Sequence, residues 1–429
     1  MSLFPSTSES SHPSEIGKPL SEAFLDSSSR TRDSLPEQHR AHFDELRGSI
    51  LAFCREFGIP IETLRSKEAF GAELTSKRIP QERMEEVVSL FARLEYLVTN
   101  REPLKVESEA LKEVEPLYHL TEQYTSQVAL LERIGILKDG KITGIDGHDY
   151  PIPTLEQIAA RLFEREKDLS IKHDQGFTKL LLVPFGMSLD TLRETLRQFL
   201  LAYKANHPDF DLDTKEPLWT WEEGYKGADT GNPPKIFYHP TSFDPDNHQG
   251  QTKLEILEAQ ADRPEDSFSG WTVHLFQPSN IQDLDLDSPK GFASIPRQGR
   301  GKIRGKEFPR KDLEANKTPI DYLSTLQQAQ DDPTSPYFQE SGLTPEDWIL
   351  AFMTHLEETG KPLDDWQNNK ESITYLTGAF FPSIATSAFA PCAFWFRDDR
   401  QAILDRNAPR DRVGRIGVRS SVIVQNLVP

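Results

Sequence analysis

Apolar residues in the first quarter of the chain recur every three or four positions. In "HFDELRGSILAFCREFGI", Phe43, Leu46, Ile50, Phe53 and Phe57 fall on one stripe, and Gly58 offers a stop. "MEEVVSLFARLEYLV" at 84–98 repeats the amphipathic pattern, so the spacing predicts helices from 42 to about 114. Cys54 lies beside the first stripe and reads as a core filler rather than a reactive thiol. A further helix is predicted over 122–134, ending at Gly135. "ILKDGKITGIDGHDYPIP" then sets Asp139-Gly140 and Asp146-Gly147 between β-like residues, the signature of tight hairpin turns. No sequence period recurs, so the chain is not a repeat array.

The pattern then changes. Residues 178–183, "TKLLLV", are read as a buried strand. Ser188 or Asp190 can cap a helix whose inner face is Leu189, Leu192, Leu196, Phe199, Leu200 and Tyr203. A loop-rich stretch, 206–264, holds the short strands "PLWTWEEGY" and "KIFYHP". "GWTVHLFQPS" at 270–279 is another strand, with His274 predicted to be buried and hydrogen-bonded. "SGLTPEDWILAFMTHLEETG" is the clearest helix. Thr344 is its N-cap, Pro345 its first position, Glu346 and Asp347 its acidic first turn and Gly360 its end; Ile349, Phe352, Met353 and Leu356 face inward. Short strands and turns follow, closed by "IGVRSSVIV".

These elements predict an α+β chain: a disordered leader over 1–41, a helical region over 42–115, a helix plus β-hairpin module over 116–170, and one domain over 171–429 that ends in a distinctive tail, 384–424.

Composition narrows the functions. The 429 residues carry a formal net charge of −19, which opposes broad binding to nucleic acid or anionic membrane. The local exception, 297–311, holds seven basic residues and one acid; it reads as a solvated loop, with a polyanion contact as the alternative. The helix–hairpin order suits a winged helix, but the preceding helix offers Arg133 alone where DNA reading wants several cations. Two cysteines form neither a disulfide framework nor a CxxC zinc pattern. The Ser-rich first 40 residues lack a basic n-region and an apolar h-region, so a cytoplasmic location is expected, with surface display by another route left open.

HExxH, P-loop, GxGxxG and GxSxG motifs do not occur in the chain, and no cofactor is expected. "DPDNHQGQTKLE" at 244–255 resembles a calcium loop at its first, third and twelfth places, but Gln249 stands where the turn needs glycine; it reads as a capped turn leading into a helix. "DLDLD" at 283–287 reads as an acidic solvated loop.

The tail is unusual. From 372 to 429 every charge is Arg or Asp, and Lys and Glu do not occur. Aromatics and Arg are enriched, and Lys and Glu depleted, where surfaces are desolvated by a partner. The planar, weakly hydrated guanidinium tolerates that better than an ammonium. Alternation sets Phe394 and Phe396 on one side of a strand and Trp395 on the other, with Trp395 expected in the core.

The order "LTPEDW", a Gly-aromatic stretch, "FWFRDDRQA" and "GVRSSV" resembles the C-type-lectin-like fold. More closely, it is similar to the variable proteins targeted by diversity-generating retroelements, of the candidate-phylum bacterial type. "KITGIDGHDYPIPTLEQI" and "GFTKLLLVPFGMSLDTL" add to the resemblance, which spans roughly 120–424. It implies a C-type-lectin-like C-terminal domain carrying a diversified ligand-binding face, and a macromolecular partner, with a protein as the expectation. By position, Trp395, Arg400, Gln401, Gly417, Val418 and Arg419 would be scaffold. Phe394, Phe396, Asp398, Ile403, Asp405, Asn407, Arg410, Asp411, Arg415 and Ile416 would face the ligand. The same fold hosts formylglycine-generating oxidising enzymes, which use two cysteines where this region has Cys392 alone. An oxidoreductase and a nucleic-acid-binding regulator are the alternatives.

Overall fold

A computed structural model of the chain describes residues 28–65, 67–77, 79–101, 109–263, 268–280, 288–299, 311–365, 372–384 and 387–425. The acidic 283–287 stretch and most of the basic 297–311 stretch lie outside the described residues. The chain divides into two units, at residue 107.

In the first unit, helices Glu37–Glu56 and Gln81–Asn100 pack on each other. They bury the stripe Phe43, Leu46, Ile50 and Phe53, and Cys54 is fully enclosed. Burial pushes its thiol up to about 11, as befits a filler. The first helix begins at Glu37 behind Pro36, and a short helix, Ser28–Asp33, precedes it. The expected leader therefore does not extend to 41. Leu35, buried in this core, ties the segment down.

In the second unit, which begins at residue 108, the widest of three apolar clusters runs from Leu111 to Val424 without a break at 170. Helix Glu109–Tyr118 packs on helix Leu155–Glu164. Helix Leu120–Arg133 is fastened to β3 (Lys179–Val183) by two glutamines. Gln123 donates to Thr178 O at 2.9 Å and accepts from Leu180 N at 2.9 Å. Gln127 donates to Leu180 O at 2.8 Å and accepts from Leu182 N at 2.9 Å. The helical i, i+4 spacing matches the two-residue repeat of a strand edge. The side-chain amides thus complete a sheet edge that would otherwise leave buried N–H and C=O groups bare. β1 (Lys141–Thr143) and β2 (Asp149–Pro151) form the expected hairpin.

Two larger sheets build the rest. The first runs β3–β6–β13–β7, with β6 (Thr272–Phe276), β7 (Glu340–Gly342) and β13 (Ser420–Ile423). The second has the order β12–β8–β10–β11–β4, comprising β12 (Ile416–Val418), β8 (Ile373–Tyr375), β10 (Ser387–Phe396), β11 (Gln401–Asn407) and β4 (Leu218–Thr220); β5 (Phe237–Tyr238) and β9 (Ala379–Ile384) branch from β10. Helix Pro345–Thr359 touches both β3 and β10, which explains why residues 345–356 are all buried. Its start is a capping box: Asp347 N donates to Thr344 Oγ1, and Thr344 N to Asp347 Oδ2. It ends at Gly360, whose φ of 68° suits a residue without Cβ. The fold is α+β.

Candidate ligand-binding face

The expected ligand-facing residues lie on β10, β11 and the turns beside them. The two strands are antiparallel, pairing Phe394 with Ile403, Cys392 with Asp405 and Ala390 with Asn407. The pleat therefore sets Phe394, Phe396, Ile403, Asp405 and Asn407 on one side of the hairpin. Trp395 takes the other side, 3 % exposed, against Phe352 and Phe210. Phe394 and Phe396 are half-buried, their rings edge-on at 6.1 Å. Asp405 and Asn407 are half-buried too. Asp398 is exposed in the connecting turn, and Arg410, Asp411 and Arg415 are exposed in the 408–415 loop.

Two assignments change. Ile403 is 6 % exposed and Ile416 is 3 % exposed, so neither offers its side chain to a ligand. Ile403 is flanked by Phe394 on β10 and, through parallel pairing of β11 with β4, by Trp219. Ile416 pairs with Ile373 and packs beneath Leu313 and Tyr322. One further step of the β10–β8 register sets Phe394 beside Ile373. A single row thus crosses five strands: Ile416, Ile373, Phe394, Ile403, Trp219. The isoleucines form its floor, and Phe394 and Trp219, both half-buried, reach solvent.

Of the expected scaffold, Gln401, Gly417, Val418 and Arg419 are buried. A Cβ on Gly417 would stand 2.5 Å from Ile295 Cγ2 and 3.0 Å from Leu313 O, so only glycine fits. Arg419 donates to Asp364 Oδ1 at 2.5 Å, and Asp364 also accepts from Trp348 Nε1 at 3.0 Å, which locks the tail to helix Pro345–Thr359. Arg400 is different: it is exposed in the 397–400 turn with φ 57°.

The residues do not converge on one point. The rows of Phe394 and Asn407 are four residues apart along β10, roughly 13 Å at strand rise. Beyond them Arg410 lines a cleft of about 630 Å³ with an apolar floor of Phe243, Ile320, Leu323 and Ala388. The site is a strip that ends in a cleft.

Two buried polar clusters were not foreseen. Lys253 Nζ lies 2.6 Å from Asp229 Oδ2, 2.8 Å from Glu346 Oε1 and 2.7 Å from Met187 O. Tyr238 donates to Glu346 at 2.7 Å. Burial would lower the ammonium's pKa, but the two carboxylates outweigh it and leave it above its ordinary value. Next to this, Ser421 Oγ sits 2.9 Å from His274 Nδ1, and His274 Nε2 sits 3.1 Å from Asp347 Oδ1. The second contact is close enough for an ion pair but is not aligned as a hydrogen bond. Burial pushes the Asp347 carboxyl up, and His274 and the Thr344 amide more than offset it, so it stays below its ordinary range.

Serine, histidine and aspartate in this order suggest nucleophilic chemistry. Yet Ser421 is 0 % exposed and His274 and Asp347 2 % each, and Asp347 is already the capping-box acid. The side chains of all three are enclosed, and the cluster joins β6, β13 and the helix N-terminus. The expected place of His274, buried and bonded on its strand, is what the structure shows. The 244–255 stretch is the capped turn: Thr252 and Glu255 form the capping box of helix Lys253–Asp262.

Comparison of the chain with protein-family models, with curated proteins and with solved structures finds no match.

Proposed function

We propose that the chain is a non-enzymatic ligand-binding protein. Its C-terminal domain is a C-type-lectin-like scaffold of the diversity-generating-retroelement kind, and its strip from Trp219 to Arg410 is the face that meets a macromolecular ligand, a protein. The observation that carries this reading is the five-strand row. It supplies rigid, half-exposed aromatics on a buried floor, with Asp405 and Asn407 on the same side and Arg410, Asp411 and Arg415 in the adjoining loop. Such a mixture of stiff apolar area and adaptable polar groups suits protein recognition.

The cysteines support a binding protein over an oxidoreductase. Cys54 and Cys392 are both buried and lie in different units. Burial and the nearby Asp405 push the Cys392 thiol well above its usual range, which disfavours the reactive thiolate. Helix Leu120–Arg133 spends its Gln123 and Gln127 on β3, which argues against its use as a DNA-reading helix.

The test is genomic. A reverse transcriptase gene and a near-copy of the tail's coding sequence, differing mainly at adenines, are expected beside the gene. If neither is present, the reading loses its main support.

A further inference from the structure

On the opposite side of β10 from the aromatic strip, beside Trp395, a second cleft of about 490 Å³ opens where the end of helix Leu189–Asn206 meets the 207–211 loop. Four rings line it. His207 stacks on Tyr203 at 4.0 Å and 19°, Phe210 stands edge-on to Tyr203 at 5.1 Å, and Phe210 lies 5.4 Å from Trp395. Because their planes turn from 19° to 84°, the rings bound a corner and do not form one flat stack. Asp209 and Asp211, both exposed, flank Phe210 in the chain and line the same cleft.

The cations at and beside the cleft already have partners, and one of them, Arg397, lines it together with its partner Asp365. Arg397 is clamped on Asp365, its Nε 2.8 and 2.7 Å from the two carboxylate oxygens. Lys204 Nζ is bound to the carbonyls of Pro208 and Phe210, at 2.6 Å each. Arg400 reaches Asp211 only at 3.6 Å, with both side chains half exposed or more. Ring faces carry negative charge and attract cations, and the carboxylates add to that attraction. An anionic ligand would meet the carboxylates of Asp209 and Asp211, and a neutral apolar one would desolvate them without a partner.

We propose that this cleft binds an organic cation, an alkylammonium or quaternary ammonium group. The source is a small free amine or a lysine side chain of a protein; the ammonium head on an alkyl stem is common to both. The inference does not rest on the tail being diversified.

The test is calorimetric titration of the full chain with choline and, in parallel, with its neutral isostere 3,3-dimethylbutan-1-ol. Saturable choline binding in the range of about 0.1–10 mM is expected, and no saturation by the alcohol. Phe210→Leu, which keeps apolar volume without the π face, should weaken choline binding roughly three- to thirty-fold. The Asp209→Asn/Asp211→Asn double variant, altered only at exposed positions, should weaken it similarly. A lysine-containing peptide that outbinds choline tenfold or more assigns the protein source; comparable or weaker binding assigns the free amine. The proposal is overturned if the alcohol binds as tightly as choline, if choline does not saturate, or if both variants bind choline as the parent does.

Discussion

Trp219 of β4 stands in register with Ile403 of β11, the two strands running parallel. The register sets Trp219 on one side of Ile403 and Phe394 on the other. Trp219→Ala and Ile403→Ala should therefore not be additive. Urea denaturation should give a coupling of about 0.5–3 kcal/mol. Additivity to within about 0.3 kcal/mol would separate the two residues.

Gln127 completes the backbone of β3 at Leu180 O and Leu182 N. Gln127→Leu fits the space but leaves one buried carbonyl and one buried amide bare. A loss of about 2–4 kcal/mol in unfolding free energy is expected. A near-neutral result would mean that water replaces the amide and that the edge is not sealed.

Lys253 is the ammonium that Asp229 and Glu346 share in a buried interior. Lys253→Met should cost about 3–5 kcal/mol, because two carboxylates lose their counter-charge. Adding Glu346→Gln to that variant should restore part of the loss. If the double variant is no more stable than the single one, charge compensation is not the cause.

His355 is buried and accepts a hydrogen bond from Phe292 N at 2.9 Å. Burial first, then Arg419, Lys179 and Lys361, pull its pKa from 6.5 down to about 3. The unfolded chain therefore takes up a proton below pH 6.5 that the folded chain refuses. The stability contribution is complete above pH 6.5 and falls as pH drops from 6.5 toward 3, by up to about 1.4 kcal/mol per pH unit. His355→Gln keeps an acceptor and does not titrate, so its acid slope across that window should be shallower. An unchanged slope would contradict the assignment.

The parts of this molecule set by local chemistry were legible in the chain. Thr344, Pro345 and Gly360 specify their helix within a few residues of its ends, and the period of two turned Trp395 inward. What depends on distant partners was not. Ile403 and Ile416 looked exposable because nothing nearby names Trp219 or Ile373 as their covers. "PLWTWEEGY" announced a strand, but not that a parallel partner would place Trp219 on the tail's own sheet. Nothing in the helical pattern singles out Gln123 and Gln127, since only the β3 edge gives them a purpose. Glu346 read as a first-turn acid of its helix, and nothing local brings Lys253 to it. The hairpin module gave no local sign that Ile142 and Tyr150 share an apolar cluster with the later strands.

The central claim is that the tail presents variable residues on a fixed frame. Its most direct test is deep sequencing of codons 384–424 across many isolates of the organism that encodes it. Substitutions should concentrate at Phe394, Phe396, Asp398, Asp405, Asn407, Arg410, Asp411 and Arg415. Ile403 and Ile416 should change only to other apolar residues, and Trp395, Gln401, Gly417, Val418 and Arg419 should stay constant. An invariant tail, or variation spread evenly over buried and exposed positions, would contradict the account.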